Sequence, residues 1–217
     1  MKFSSIAICL FFLTSLISAQ DPGPTPSTPK GCEKFTTIDD KGSKPLMTVS
    51  LPPHGVCHAK ATASGEQLPD PACTPGAINP TLTAAVLKDP AFRTGCVRND
   101  ATSEKQKGDT YKWYKTKHPK HNQGATQYCE LDHLIPLYLG GADTLENIWP
   151  ECGPARVHLD DRYFKEKDKV ELYLGLQVRE GKMDLADAQN GIAKDWTKFI
   201  SDAEDYCSSG KCEFKGQ

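Results

Sequence analysis

Between Asp184 and Ile200 the apolar positions Leu185, Ala188, Ile192, Trp196, Phe199 and Ile200 recur at helical spacing. Asp184 ahead of them is a good N-cap, so the pattern predicts one C-terminal helix with its Trp and Phe in the core. A second helix is expected after Cys152. There Leu159 or Tyr163, Val170, Leu172 and Leu174 set a mixed apolar face against the charged run 165–169, and Gly181 follows its end. Period-two alternation occurs in shorter pieces. Residues 128–134 read as a strand ending in Asp132-His133, and Asn147-Ile148-Trp149 as a short second strand stopped by Pro150. Pro136 ends pairing of the first, and Gly140-Gly141 marks a freely turning loop. Upstream, 46–51 is β-prone between turn signals and 81–87 reads as a short helix. Mixed helical and strand periods without an internal repeat make an α+β chain, long enough for one ordinary domain.

The longest apolar run, 6–17, stands at the start behind Lys2 and ahead of Ser18-Ala19. That is the layout of a secretory signal peptide, 1–19, and the run is shorter than the about 20 residues a membrane span needs. A Pro/Ser/Thr-rich stretch, 20–31, reads as a linker, 32–72 as an N-terminal extension, and 73–217 as the main domain. Cys9 leaves with the signal. The remaining cysteines, Cys32, Cys57, Cys73, Cys96, Cys129, Cys152, Cys207 and Cys212, are even in number, which in an oxidising compartment implies four bridges. Cys32 and Cys57 are placed to staple the extension. Cys129 and Cys152 flank the two strands, and Cys207 and Cys212 either bridge each other or tie down the tail. Zinc is disfavoured because no C-x-x-C pair occurs.

Without the signal the chain carries 25 basic against 28 acidic side chains, which is no global nucleic-acid signature. The distribution is uneven. Residues 93–121 hold Arg93, Arg98, Lys105, Lys107, Lys112, Lys115, Lys117 and Lys120 with Tyr111, Trp113 and Tyr114 among them. Such a stretch offers charge to phosphates and rings to unpaired bases, or else is a solvated, lysine-rich loop.

The chemistry concentrates at 127–176. Glu130-Leu131-Asp132-His133 precede a loop containing Pro136 and Gly140-Gly141, and Asn147 opens the second strand ahead of a helix. In this order and spacing the chain resembles the His-Me finger, or HNH, endonucleases. The stretch 139–150, the helix segment Lys167-Asp168-Lys169-Val170-Glu171 and the upstream segment 73–80 resemble a set of secreted HNH-like proteins, which extends the resemblance to about 73–200. It implies a ββα-metal core with a disulfide-stapled N-terminal extension and a C-terminal helix.

The implied chemistry is hydrolysis of phosphodiester bonds in DNA, with RNA left open as a substrate, at low sequence specificity and with a divalent ion, Mg²⁺ or Mn²⁺. An imidazole, with an unperturbed pKa near 6.5, accepts a proton at neutral pH, so His133 is the candidate general base. Asp132 offers a hard carboxylate oxygen to the ion, and Glu130 lies on the same strand face. By resemblance Asn147 fixes the loop or orients the imidazole. The helix should add a second metal ligand. His158, Asp160, Asp161, Asp168 and Glu171 are candidates, and Asp168 is favoured by its Lys-Asp context. Arg93, Arg98, Lys112, Lys115 and Lys117 are the candidate substrate contacts. Nucleic acid is the expected partner, no membrane span is expected, and a secreted monomer is the expectation. A second reading is a secreted, cysteine-rich binding or effector protein that keeps the finger without catalysis, recognised by stable folding with no divalent-ion binding.

Overall fold

The computed structural model describes residues 30–47, 56–99, 104–116 and 127–212. The expected signal peptide, the linker up to residue 29, and Lys117 and Lys120 lie outside them. The helical period after Cys152 becomes three helices around one core: α3 (Tyr163–Arg179), α4 (Leu185–Asp195) and α5 (Ile200–Ser208). Val170, Leu174 and Val178 of α3 meet Ala188 and Ile192 of α4, Trp196, and Ile135 and Leu139 from the loop between the strands. Each fully buried Val, Leu or Ile contributes on the order of 1.5–3 kcal/mol, so burial of Ile135 and Leu139 in this cluster helps to anchor that loop.

The single C-terminal helix expected over 185–200 is interrupted by a 3-10 turn at Trp196–Phe199. Two side chains account for the break. Trp196 Nε1 donates to the carbonyl of Gln67 at 3.0 Å, and Thr197 Oγ1 donates to Asp195 Oδ1 at 2.6 Å. Asp184 does sit at the N-cap of α4, but its carboxylate makes no cap hydrogen bond.

The sheets are small. β1 (Lys44–Pro45) pairs with β4 (Ala77–Ile78), and β2 (Lys60–Ala61) with β3 (Gln67–Leu68), all antiparallel. The short helix α1 (Ala84–Lys88) is capped by Thr83 Oγ1, which accepts from Val86 N. The principal hairpin joins β5 (Cys129–His133) to β6 (Ile148–Cys152), with His133 opposite Ile148 and Cys129 opposite Cys152. The fold is therefore mixed α/β with small sheets and several disulfides, and the hairpin is followed in sequence by α3.

Pro150 lies inside β6 instead of ending it. Hydrogen bonds from Leu134 N to Asn147 O and from Gly153 N to Tyr128 O bracket the ladder. Alternation between them makes Leu131–Pro150 a non-bonded pair, where the missing N–H of proline costs nothing. Cys129–Cys152 falls on another non-bonded pair, the kind with the closer backbones, and its Cα atoms are 4.0 Å apart.

All eight remaining cysteines are bridged: Cys32–Cys96, Cys57–Cys73, Cys129–Cys152 and Cys207–Cys212. Cys32 and Cys57 do not pair with each other. Each ties the 32–72 extension to the segment after it, and the β1–β4 pairing crosses the same boundary. The helix α2 (Glu104–Trp113) had no counterpart in the sequence reading. Tyr111, Trp113 and Tyr114 at its C-terminal end are buried, the latter two beside Leu134, Leu145 and Trp149. The rings foreseen as exposed stacking surfaces in that stretch are therefore packing residues. Among the described residues no helix is long and apolar enough to cross a membrane.

Candidate active site at the end of the hairpin

The loop between β5 and β6 is built on one amide. Asn147 Oδ1 accepts from Ile135 N at 2.9 Å, and its Nδ2 donates to Ile135 O at 2.8 Å and Ala142 O at 2.9 Å. The side chain is fully buried, so each of these backbone groups would otherwise be stranded away from water. Pro136 leads into a 3-10 turn at Leu137–Leu139, which Gly140 closes in the left-handed region at φ 77°. At Gly141 a Cβ would stand 1.8 Å from the Ile135 carbonyl oxygen, so only glycine fits. Asn147 thus shapes the loop and bonds to backbone; it is not the partner of the imidazole.

That partner is Asp143, carried on the same loop. His133 Nε2 lies 2.8 Å from Asp143 Oδ1. The Asp143 side chain is 0 % exposed and that of His133 is 17 % exposed. Asp143 Oδ2 accepts from the backbone N of Asn99 at 2.8 Å and from Lys107 Nζ of α2 at 3.0 Å. Burial works to raise the Asp143 carboxyl, but His133, the Asn99 amide and Lys107 outweigh it and hold the group well below the usual carboxylate range. An ionised acceptor at Nε2 fixes the neutral imidazole as the Nε2–H tautomer and leaves the lone pair on Nδ1. Chemically this is an oriented base: a partly exposed imidazole whose far nitrogen is anchored on a buried carboxylate.

A second polar cluster joins the same strand end to α3. The buried stripe of α3 runs Phe164, Lys167, Glu171, Leu174, Val178. Lys167 therefore leaves the charged surface on which the sequence had placed it. Its Nζ is 2.6 Å from Asp132 Oδ2, donates to the backbone carbonyl of His133 at 2.9 Å, and pairs with Glu171. Glu151 of β6 is buried nearby, and neither carboxyl oxygen has a hydrogen-bond partner among the described residues. Burial, opposed by Lys167, pushes the Glu171 carboxyl up to about 8. Burial and the charge of Asp132 push Glu151 well above its ordinary value. The Lys167 ammonium stays protonated despite its burial, because Asp132, Glu171 and Glu151 favour the charged form.

The other expected site residues are distributed as follows. Asp168 is exposed and accepts from Lys165 at 2.7 Å, so Asp132 and Asp168 are held by different lysines. Lys165 also stands 3.7 Å from Glu130, and His158, Asp160 and Asp161 are exposed ahead of α3. Among the described residues no group of three or more His, Cys, Asp or Glu side chains has a geometry that could hold a metal ion. With the Asp132 carboxylate matched by an ammonium, these residues as arranged do not fit a divalent ion shared by Asp132 and Asp168. Arg93 is exposed and donates to Lys30 O, Arg98 and Lys115 are exposed, and Lys112 pairs with Asp109.

The sequence reading missed Asp143, Lys107, Lys167 and Glu151. The sequence signals for Asp143 were its place within the stretch 139–150 and a carboxylate ten residues beyond His133, two residues past the Gly-Gly turn that brings the loop back. The chain matches no protein-family model, no curated protein and no solved structure.

Proposed function

We propose that the chain is a secreted nuclease that hydrolyses phosphodiester bonds, with His133 as the general base. The observation that carries this reading is the His133–Asp143 pair: a partly exposed imidazole fixed through Nε2 on a buried carboxylate. In that arrangement Nδ1 takes the proton of an attacking water while Asp143 stabilises the imidazolium that results. Asn147 acts indirectly, by holding the loop that carries Asp143. The order of hairpin, connecting loop and α3 supports a His-Me finger, and the bridged cysteines and the absence of a membrane-spanning helix among the described residues suit a secreted chain.

A second reading, a secreted binding protein without catalysis, is favoured by one observation, the neutralisation of Asp132 by Lys167. Incubation of the disulfide-intact chain with supercoiled plasmid and with RNA separates the two. Cleavage by the wild type that is lost in His133→Ala is the expected result, and a chelator arm reports whether the Mg²⁺ or Mn²⁺ implied by the resemblance takes part. A well-folded wild type that leaves both polymers intact supports the binding protein.

A further inference from the structure

A second concave surface lies at the other end of the same hairpin. A cavity of about 390 Å³ is lined by Tyr114, Tyr128, Trp149 and Tyr163, with His58 and Gln67 contributed by the β2–β3 segment. Its Tyr128 side is set apart from His133: Tyr128 immediately precedes β5 and His133 ends it, roughly 15 Å along the strand, while Trp149 in the lining is paired with Asp132. The volume is at the small end of ligand sites and suits a single flat ring.

Several features limit what that ring is. Tyr128 is 48 % exposed, an unusual position for a large ring next to a cavity, and the Arg162 guanidinium carbon lies 5.9 Å from its centroid. An exposed tyrosine backed by arginine is a sequence-tolerant stacking platform for bases. Trp149, also in the lining, is fully buried and serves as rigid backing for the cavity. The nearby Glu66 carboxylate is occupied by the hydroxyls of Thr62 and Ser64, so it does not call for a cation. The cavity borders Cys57 and Cys152, each in a disulfide, so its walls are preformed. The Tyr128 and Tyr163 rings and little free charge fit a neutral planar heterocycle better than a phosphate.

We propose that this cavity is a subsite for one unpaired nucleobase of a single-stranded nucleic acid, stacked on Tyr128 and Tyr163. The inference rests on the phosphodiester reading and makes single-stranded polymer the favoured substrate. Binding is read by fluorescence anisotropy on the disulfide-intact His133→Ala chain, which removes cleavage from the measurement. The probes are a labelled ten-residue oligothymidylate, an abasic strand of the same length and a duplex. Oligothymidylate is expected to bind tighter than the abasic strand or the duplex. Tyr128→Ala should weaken it roughly 5- to 100-fold, Tyr128→Phe should keep the affinity, and the abasic strand should be indifferent to both. Tyr163→Ala provides a second variant should Tyr128→Ala lose its thermal transition.

Equal affinity for the oligothymidylate and the abasic strand overturns the subsite, as does an unchanged affinity in both alanine variants. So does a soluble glycan that binds and is not displaced by oligothymidylate. The two failures remain distinct. Wild-type cleavage of plasmid with base-independent binding removes the subsite alone. Base-dependent binding by a wild type that cleaves nothing removes the nuclease and keeps the subsite.

Discussion

Replacing Lys167 by methionine tests the polar cluster that fixes the His133 strand to α3. Methionine retains most of the aliphatic stem but removes the ammonium that pairs with Asp132 and Glu171 and donates to the His133 carbonyl. Glu171 tolerates the loss, because its raised pKa lets it keep a proton. Asp132, whose side chain is only 14 % exposed, loses the ammonium that matches it. Breaking a buried pair from one side costs about 3–5 kcal/mol. A chain of this size loses roughly 2–4 °C of melting temperature per kcal/mol, which gives a fall of roughly 6–20 °C under non-reducing conditions. The double variant Lys167→Met, Asp132→Asn removes both charges and should recover more than half of that loss, the sign of direct coupling. Urea midpoints with an unchanged slope provide the free energies. A single variant within about 1 kcal/mol of wild type, on the scale of a surface pair, would refute the reasoning.

Three further outcomes follow from the same geometry. Since the Glu171 carboxyl is raised from 4.5 to about 8 in the folded chain, its contribution to stability is complete below about pH 4.5 and is lost as pH rises through 8. Glu171→Gln should flatten that decline in urea titrations between pH 5 and pH 8, whereas an unchanged slope assigns the proton elsewhere. Asn147→Ala strands Ile135 N, Ile135 O and Ala142 O and should cost roughly 3–6 kcal/mol, with loss of the slowest hydrogen exchange in the loop; a cost under 1 kcal/mol contradicts the role given to the amide. Replacing Cys129 and Cys152 together by alanine opens a bridge with a separation of 23 residues and should lower stability by about 2–4 kcal/mol, read from denaturant midpoints.

The parts of the molecule legible in the sequence are those set by local periodicity. The alternation over 128–134 marks β5 (Cys129–His133) to within a residue at each end, and the spacing of Val170, Leu174, Ala188, Ile192 and Trp196 reports the shared helical core. Helix α2 was hidden because its apolar residues crowd into its C-terminal end and the remainder is polar or charged with a glycine among it, leaving a weak helical signature. Lys167 read as solvated because it stands among Lys165, Glu166, Asp168 and Lys169. Only the tertiary position of the hairpin shows that the helix turns this one lysine inward. The partner of His133 was illegible for a similar reason. Asp143 reaches the imidazole only after Asn147 and Gly141 have folded the loop back, and no spacing rule encodes that path. Asn147 itself was legible as a loop organiser or an imidazole partner, and its bonds to backbone decide between the two.

The most direct test of the proposed base is chemical rescue of His133→Ala in the plasmid-nicking assay. Removing a general base should lower the rate about 10²- to 10⁴-fold, and added imidazole should restore part of it in a concentration-dependent way while leaving the wild type unaffected. Wild-type rates in His133→Ala without imidazole would contradict the account, because the Asp143-anchored imidazole would then have no part in the chemistry.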